Sequence, residues 1–73
     1  MKSSQLKLGA IYVGAKGDMR FLSDRSFNRA LLLHQHDADC VIYQKVDNGI
    51  IEEDRHMVTA KAFARWAVKK ADS

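Results

Sequence analysis

The stretch that decides the fold reads Cys40-Val41-Ile42-Tyr43-Gln44-Lys45-Val46-Asp47-Asn48-Gly49-Ile50-Ile51. Residues 40–46 are apolar on both alternating sides, and this pattern is typical of a central β-strand. Asn48-Gly49 is a pair that tolerates the positive φ angles of a two-residue hairpin turn. We therefore expect the chain to fold back on itself here and to continue as a further strand to about Glu53.

Three more strands are predicted on the amino-terminal side of this hairpin. Leu6–Val13 ends at the turn-like Gly14-Ala15-Lys16-Gly17-Asp18, and Met19–Ser23 follows as its partner. Phe27–Leu33 fits either a short helix or a strand whose leucines are buried on both sides, and the strand is preferred. His34–Asp39 has the composition of a turn.

A short strand and one helix are predicted on the carboxy-terminal side. His56-Met57-Val58 follows a turn at Asp54-Arg55. Thr59 then stands where an N-cap would, ahead of the good helix formers of residues 60–70. The expected apolar side of this helix consists of Ala60, Phe63, Ala64, Ala67, Val68 and Ala71, with Trp66 at its edge, and the opposite basic stripe consists of Lys61, Arg65 and Lys69.

These elements predict an α+β, mostly β, fold: a small SH3-like antiparallel barrel of about five strands with one C-terminal helix. The 73 residues contain no proline and no linker, so one domain is expected, with residues 1–5 as a flexible tail, 6–58 as the barrel and 59–71 as the helix. Such a small core supplies only about 3–5 kcal/mol. Self-association into a homodimer would add to that stability.

Composition sets limits on the class of protein. The chain is 47% hydrophobic and 29% charged, which is typical of a globular domain and not of a disordered one. Cys40 is the only cysteine, so an internal disulfide framework and a CxxC motif are excluded, and a cytoplasmic location is expected. No apolar run is long enough for a signal peptide or a membrane span, so no membrane partner is expected.

The formal net charge of +3 is unevenly distributed along the chain. Residues 1–30 carry six Lys or Arg against two Asp, residues 31–58 carry two against six Asp or Glu, and residues 59–73 carry four against one. A basic, acidic, basic order allows the ends to bind a polyanion. It equally allows complementary patches of two copies to pair.

The first functional expectation is nucleic-acid binding, with cations on phosphates and aromatic rings stacked on bases. The expected cations are Lys16, Arg20, Arg25, Arg29, Lys61, Arg65 and Lys69, and the candidate rings are Tyr12, Phe27 and Tyr43. The alternative is a protein-protein interaction or adaptor module that forms a homodimer or docks on a larger partner. In this alternative the basic side of the helix meets an acidic surface.

No enzyme and no cofactor are predicted. The cluster His34-x-His36-Asp37-x-Asp39-Cys40 could join His56 in a zinc or copper site, but its spacing is not that of a known metal motif and a loop is the preferred interpretation. The nucleophile elbow, the Walker loop, the dinucleotide fingerprint and H-E-x-x-H are all missing from the sequence. We therefore expect no metal, no catalytic residue and no small-molecule substrate.

Several short motifs carry a resemblance to a known group of proteins. These are Gly9 with Tyr12, Gly17 with Arg20, Val41 with Tyr43, and Phe63-Ala64-Arg65-Trp66-Ala67. In this spacing the chain resembles small uncharacterised bacterial and phage-encoded proteins with G-x-x-Y, G-x-x-R, V-x-Y and F-x-x-W-A elements. The resemblance implies a compact β-barrel with a carboxy-terminal helix and no assigned chemistry. Residues 22–39 are longer than the single strand and turn of that pattern.

Overall fold

The computed structural model describes residues 1–27 and 39–71. A 3-10 turn at Ser3–Gln5 comes first. The strands and the helix then follow in the order β1 (Ile11–Gly14), β2 (Met19–Phe27), β3 (Asp39–Asp47), β4 (Ile50–Ile51), β5 (His56–Thr59), α1 (Ala60–Trp66) and β6 (Ala67–Lys70).

The strands form one antiparallel sheet in the order β4-β3-β2-β1-β6, and β5 also pairs with β3. One edge of β3 pairs with β2. The other edge of β3 pairs with both β4 and β5, which lie at opposite ends of the strand. The prediction of a mostly antiparallel β fold with one helix is confirmed. Within residues 1–27 and 39–71 no strand pair joins β6 to the β4 and β5 edge, so the sheet is open there and the predicted barrel closure is not seen.

Both predicted hairpin turns are confirmed. Asn48 and Gly49 have φ angles of 53° and 78°, and Asp47 pairs with Ile50 across the turn. Positive φ at both central positions is the type I′ geometry that suits the twist of the flanking strands. At the first hairpin, Gly17 has a φ of 87°, and the Gly14 amide donates to the Asp18 carbonyl at 2.8 Å.

The bounds of the first two strands differ from the prediction. β1 begins at Ile11 and not at Leu6, because Gly9 turns the chain with a φ of 84° before the strand starts. β2 continues past Ser23, where the register shifts and the Ser23 hydroxyl donates to the Ile42 carbonyl at 3.0 Å. The predicted strand at 27–33 and the turn that follows it fall outside the described residues, apart from their end residues in β2 and β3.

The helix begins where the sequence predicts and ends earlier. The Thr59 hydroxyl accepts from the Ala62 amide at 3.1 Å, which confirms the N-cap. The prediction that the helix runs to residue 70 or 71 is wrong, because the backbone becomes extended at Ala67 and β6 pairs with β1. The exposed edge of β1 offers unpaired backbone groups, and pairing with them outweighs the helix propensity of four residues. No helix in the described part of the chain is long and apolar enough to span a membrane.

The early helix end changes the predicted helix faces. Lys69 lies on β6, so the basic stripe of the helix is reduced to Lys61 and Arg65. Val68, predicted on the apolar side, is 60% exposed on β6. The remaining apolar side is confirmed, because Ala60, Phe63 and Ala64 are all buried.

The core lies between α1 and one face of the sheet, which we call the core face. Its buried members are Leu6, Tyr12, Leu22, Val41, Tyr43, Ala60, Phe63, Ala64 and Ala67. Phe63 is fully buried at the centre, with its ring centroid 5.2 to 5.8 Å from those of Trp66, Tyr43 and Tyr12. Gly14 lets the strand approach the indole, because a Cβ there would lie 2.4 Å from Trp66 Nε1.

Candidate nucleic-acid interface

The two tyrosines predicted to stack on bases lie in the core. Tyr12 is 1% exposed, and its hydroxyl accepts from the Lys7 amide at 2.8 Å. Tyr43 is 7% exposed and its ring stacks on that of His56, with the centroids 5.2 Å apart. Both occupy core-face positions of their strands, where successive side chains alternate between the two faces. Burial therefore corrects the prediction, since neither ring offers a surface on which a base could stack.

Arg20 is held among aromatic rings at the edge of the core. Its guanidinium carbon lies 4.5 Å from the centre of the Tyr43 ring and 4.1 Å from that of the Trp66 ring, which are cation–π distances. Trp66 is itself fixed by its Nε1, which donates to Asp18 Oδ2 at 3.2 Å. The Arg20 Nε is buried without a hydrogen-bond partner among the described residues. The side chain is thus committed to packing, and we leave it out of the candidate interface.

Arg25 is engaged by a carboxylate on the neighbouring strand. Its Nε donates to Asp39 Oδ1 at 2.9 Å, and its Nη2 donates to Asp39 Oδ2. Its Nη1 donates to the Ser3 carbonyl at 3.1 Å, which ties the amino-terminal turn to the sheet. The hydrogen bond to Asp39 raises the pKa of Arg25 and lowers the pKa of Asp39. The predicted phosphate contact would have to displace this pair. Arg29 falls outside the described residues.

The Arg25–Asp39 pair predicts a pH-dependent contribution to stability. Because the pKa of Asp39 is lower in the folded protein than its ordinary value, the pair stabilises the fold above about pH 4 and loses this effect as the pH falls through the lowered pKa. We expect Asp39→Asn to reduce the free energy of unfolding by about 1 kcal/mol at neutral pH and by much less near pH 2.5. Urea unfolding at both pH values measures this.

Asp54→Asn is the matched control for this experiment, because Asp54 is an exposed carboxylate outside the pair. It should leave stability within about 0.5 kcal/mol of that of the wild type at both pH values. An Asp39→Asn loss that is equally large at both pH values would contradict the ion-pair interpretation.

Lys61 and Arg65 project from the exposed side of α1, one helical turn apart. An open groove of about 650 Å³ separates this part of the helix from the amino-terminal turn. It is lined by Met1, Lys2, Ser3, Ser4, Lys61, Ala64 and Arg65. Three cations and two serines thus line the groove, and no carboxylate does.

A second, smaller cavity of about 370 Å³ carries two more cations, Lys7 and Lys70. It lies between residues 7–11 and the end of β6, where the Ala71 amide donates to the Ile11 carbonyl at 2.8 Å. We call the five cations of the two cavities the basic surface: Lys2, Lys7, Lys61, Arg65 and Lys70. The predicted Lys16 and Lys69 are also exposed, but they line neither cavity.

Reasoning from the sequence missed Lys2, Lys7 and Lys70, although a signal for them exists. Residues 1–17 and 56–71 together contain seven Lys or Arg and no Asp or Glu. The fold brings these two acid-free segments together, because β1 pairs with β6 and α1 packs against the amino-terminal turn. A search for runs without acidic residues, in place of counts of net charge, would have found the three lysines.

The His34-x-His36-Asp37-x-Asp39-Cys40 segment, for which a loop and not a metal site is the preferred interpretation, lies mostly outside the described residues. Among residues 1–27 and 39–71, no group of three or more His, Cys, Asp or Glu side chains is placed to hold a metal ion. Cys40 is a buried free thiol at the start of β3.

Comparison of the chain with protein-family models, with curated proteins and with solved structures finds no match.

Proposed function

We propose that the protein binds nucleic acid by its phosphates, through the basic surface. The observation that carries the proposal is the groove beside α1, which Lys2, Lys61 and Arg65 line without any carboxylate. Cations that neutralise phosphates release condensed counterions, and this release favours binding. The planar fork of Arg65 can also hold one phosphate through two hydrogen bonds.

The same geometry argues for binding with little sequence preference. Tyr12 and Tyr43 are buried, so neither of these two predicted stacking rings is at the surface, and the side chain of the third, Phe27, lies outside the described part of the structure. Contacts to phosphates position a protein on nucleic acid but do not read the bases. We expect affinity to follow charge and salt more than base sequence.

The proposed role is that of a small, non-enzymatic accessory protein, bacterial or phage-encoded, that works without a cofactor. We place it in the cytoplasm because its single cysteine is a free, buried thiol. The SH3-like barrel and the alternative of a protein-interaction module stay predictions.

A salt titration tests the proposal directly. Five phosphate contacts to double-stranded DNA give a slope of log K against log salt of about −4.5, so the affinity should fall roughly 500-fold between 50 and 200 mM salt. The measurement is fluorescence anisotropy of a labelled duplex and a labelled single strand at both salt concentrations. An oligonucleotide of the same sequence with an uncharged backbone serves as the control and should not bind.

Two results would contradict the proposal. One is the absence of binding to either oligonucleotide at 50 mM salt. The other is an affinity that does not change with salt, since phosphate contacts without counterion release are not expected.

A further inference from the structure

The face of the sheet opposite the core face, which we call the outer face, is mostly apolar, and the register places only Asp24 and Gln44 among its apolar residues at the centre of the sheet. Strand alternation and the observed register place eight large apolar side chains on it: Ile11, Val13, Met19, Phe21, Ile42, Val46, Ile51 and Met57. An antiparallel sheet with one face in water usually shows polar residues there. This face therefore has the character of an interface.

The apolar residues of the outer face are contiguous across the strands. Val13 pairs with Met19, Met19 with Val46, and Val46 with Ile51, so one row crosses β1, β2, β3 and β4. Met19, Ile51 and Met57 are 39–41% exposed, although they are large hydrophobic residues. A continuous apolar patch on a small protein marks a site of association more often than a surface that stays in water.

The two edges of the sheet carry opposite charges. Glu52, Glu53 and Asp54 are exposed along the β3 edge between β4 and β5, where the Glu52 amide donates to the Lys45 carbonyl at 2.8 Å. Lys69 and Lys70 are exposed on β6 at the other edge. We call these the acidic edge and the basic edge.

This arrangement is complementary to a second copy of itself. When two outer faces pack together about a two-fold axis parallel to the strands, left and right are exchanged between the copies. The acidic edge of one protomer then lies over the basic edge of its partner, and the same contact occurs twice. Such an isologous pairing is the commonest form of oligomer, and aligned sheets pack in this way about 10 Å apart.

We propose that the outer face is a homodimer interface, in which two sheets pack face to face with their acidic and basic edges opposed. Five strands spaced by about 4.8 Å and some five residues long present roughly 400 Å² of flat sheet per protomer. Side-chain relief increases this area, so the pair buries on the order of 1,000 Å², which is the size at which specific interfaces begin. The helix packs on the core face, so each protomer keeps its groove at Lys61 and Arg65 free.

Sedimentation equilibrium from about 1 to 500 μM tests the dimer. The monomer mass is 8.3 kDa, and the wild type should approach twice this value as the concentration rises. Met19→Glu places a charge in the central apolar row and should keep the protein monomeric. Ile50→Glu is the matched control and should leave the dimer intact, because Ile50 is 69% exposed and its pairing with Asp47 places it on the opposite side of the sheet from Ile51.

Charge reversal tests the geometry without disturbing the apolar face. Glu53→Lys and Lys69→Glu should each weaken the dimer several-fold, because each places like charges on opposed edges. The double variant Glu53→Lys with Lys69→Glu exchanges the two charges and should restore the affinity of the wild type. A wild type that stays at 8.3 kDa at 500 μM, or a folded Met19→Glu that still dimerises, would overturn the proposal. A double variant weaker than both single ones would overturn the opposed-edge arrangement.

Discussion

The variant with both Lys61→Glu and Arg65→Glu is expected to bind double-stranded DNA on the order of 100-fold more weakly than the wild type at 50 mM salt. Loss of two phosphate contacts should also reduce the salt slope by about two. Both side chains line the groove beside α1, so reversing their charges makes the helix side of the groove acidic. Anisotropy titrations of wild type and variant over the same salt range measure both effects.

The fold should survive this change. Both positions are exposed, and the favourable interaction of an acidic residue at position 61, in the first turn of α1, with the helix dipole offsets the unfavourable one at position 65, in the last turn. Far-UV circular dichroism of the variant should therefore match that of the wild type.

The matched control reverses two cations that line neither cavity of the basic surface. Lys45→Glu with Arg55→Glu changes the net charge by the same amount, at exposed residues close in sequence to Asp47 and Asp54. We expect only a few-fold effect on affinity. Equal losses in the two double variants would mean that DNA responds to the net charge of the protein and not to the groove.

Phe63→Ala is expected to destabilise the protein by about 3–5 kcal/mol, which equals the whole stability expected of so small a core. Phe63 is 0% exposed and contacts the rings of Tyr12, Tyr43 and Trp66, so its truncation leaves a cavity that three large rings cannot easily fill. The variant should be largely unfolded at 25 °C. Urea titration followed by circular dichroism and by Trp66 fluorescence measures this.

Leu8→Ala is the control for the core, because Leu8 is 56% exposed. Its effect should stay within about 0.5 kcal/mol. A Phe63→Ala variant that unfolds cooperatively with a loss below about 1 kcal/mol would contradict the central place of Phe63 in the core.

The parts of the fold that local sequence predicts are those whose cause lies within a few residues. The Asn48-Gly49 turn follows from the tolerance of these two residues for positive φ, and the strand before it follows from its apolar run. The start of α1 follows from the hydroxyl of Thr59 and the helix formers behind it. In each case neighbours along the chain determine the outcome.

The end of α1 shows where local reasoning stops. Residues 67–70 have the propensity to continue the helix, yet they pair with β1, a strand more than 50 residues earlier in the chain. Helix-propensity differences amount to less than about 1 kcal/mol per residue, and the free energy gained by pairing with an available strand edge exceeds them. The pairing partner determines the structure of this segment, and the segment itself carries no sign of it.

The candidate site shows the same limit more strongly. The sequence identifies Arg20 and Arg25 as cations, but only the fold places rings beside the first and Asp39 beside the second. Likewise, a tyrosine at position 12 or 43 could stack on a base or pack in the core. Both residues lie on the core face, so both pack in the core.

By itself, the sequence determined the class of fold, the turns, the start of the helix and the presence of basic ends. Only the tertiary structure decided which cations are free to bind and that the two acid-free segments meet at one groove. The physical reason is range: turns and caps depend on backbone angles and hydrogen bonds between near neighbours. Burial, ion pairing and the convergence of charges depend on contacts between residues far apart in the chain, which form only when the sheet and the helix pack together.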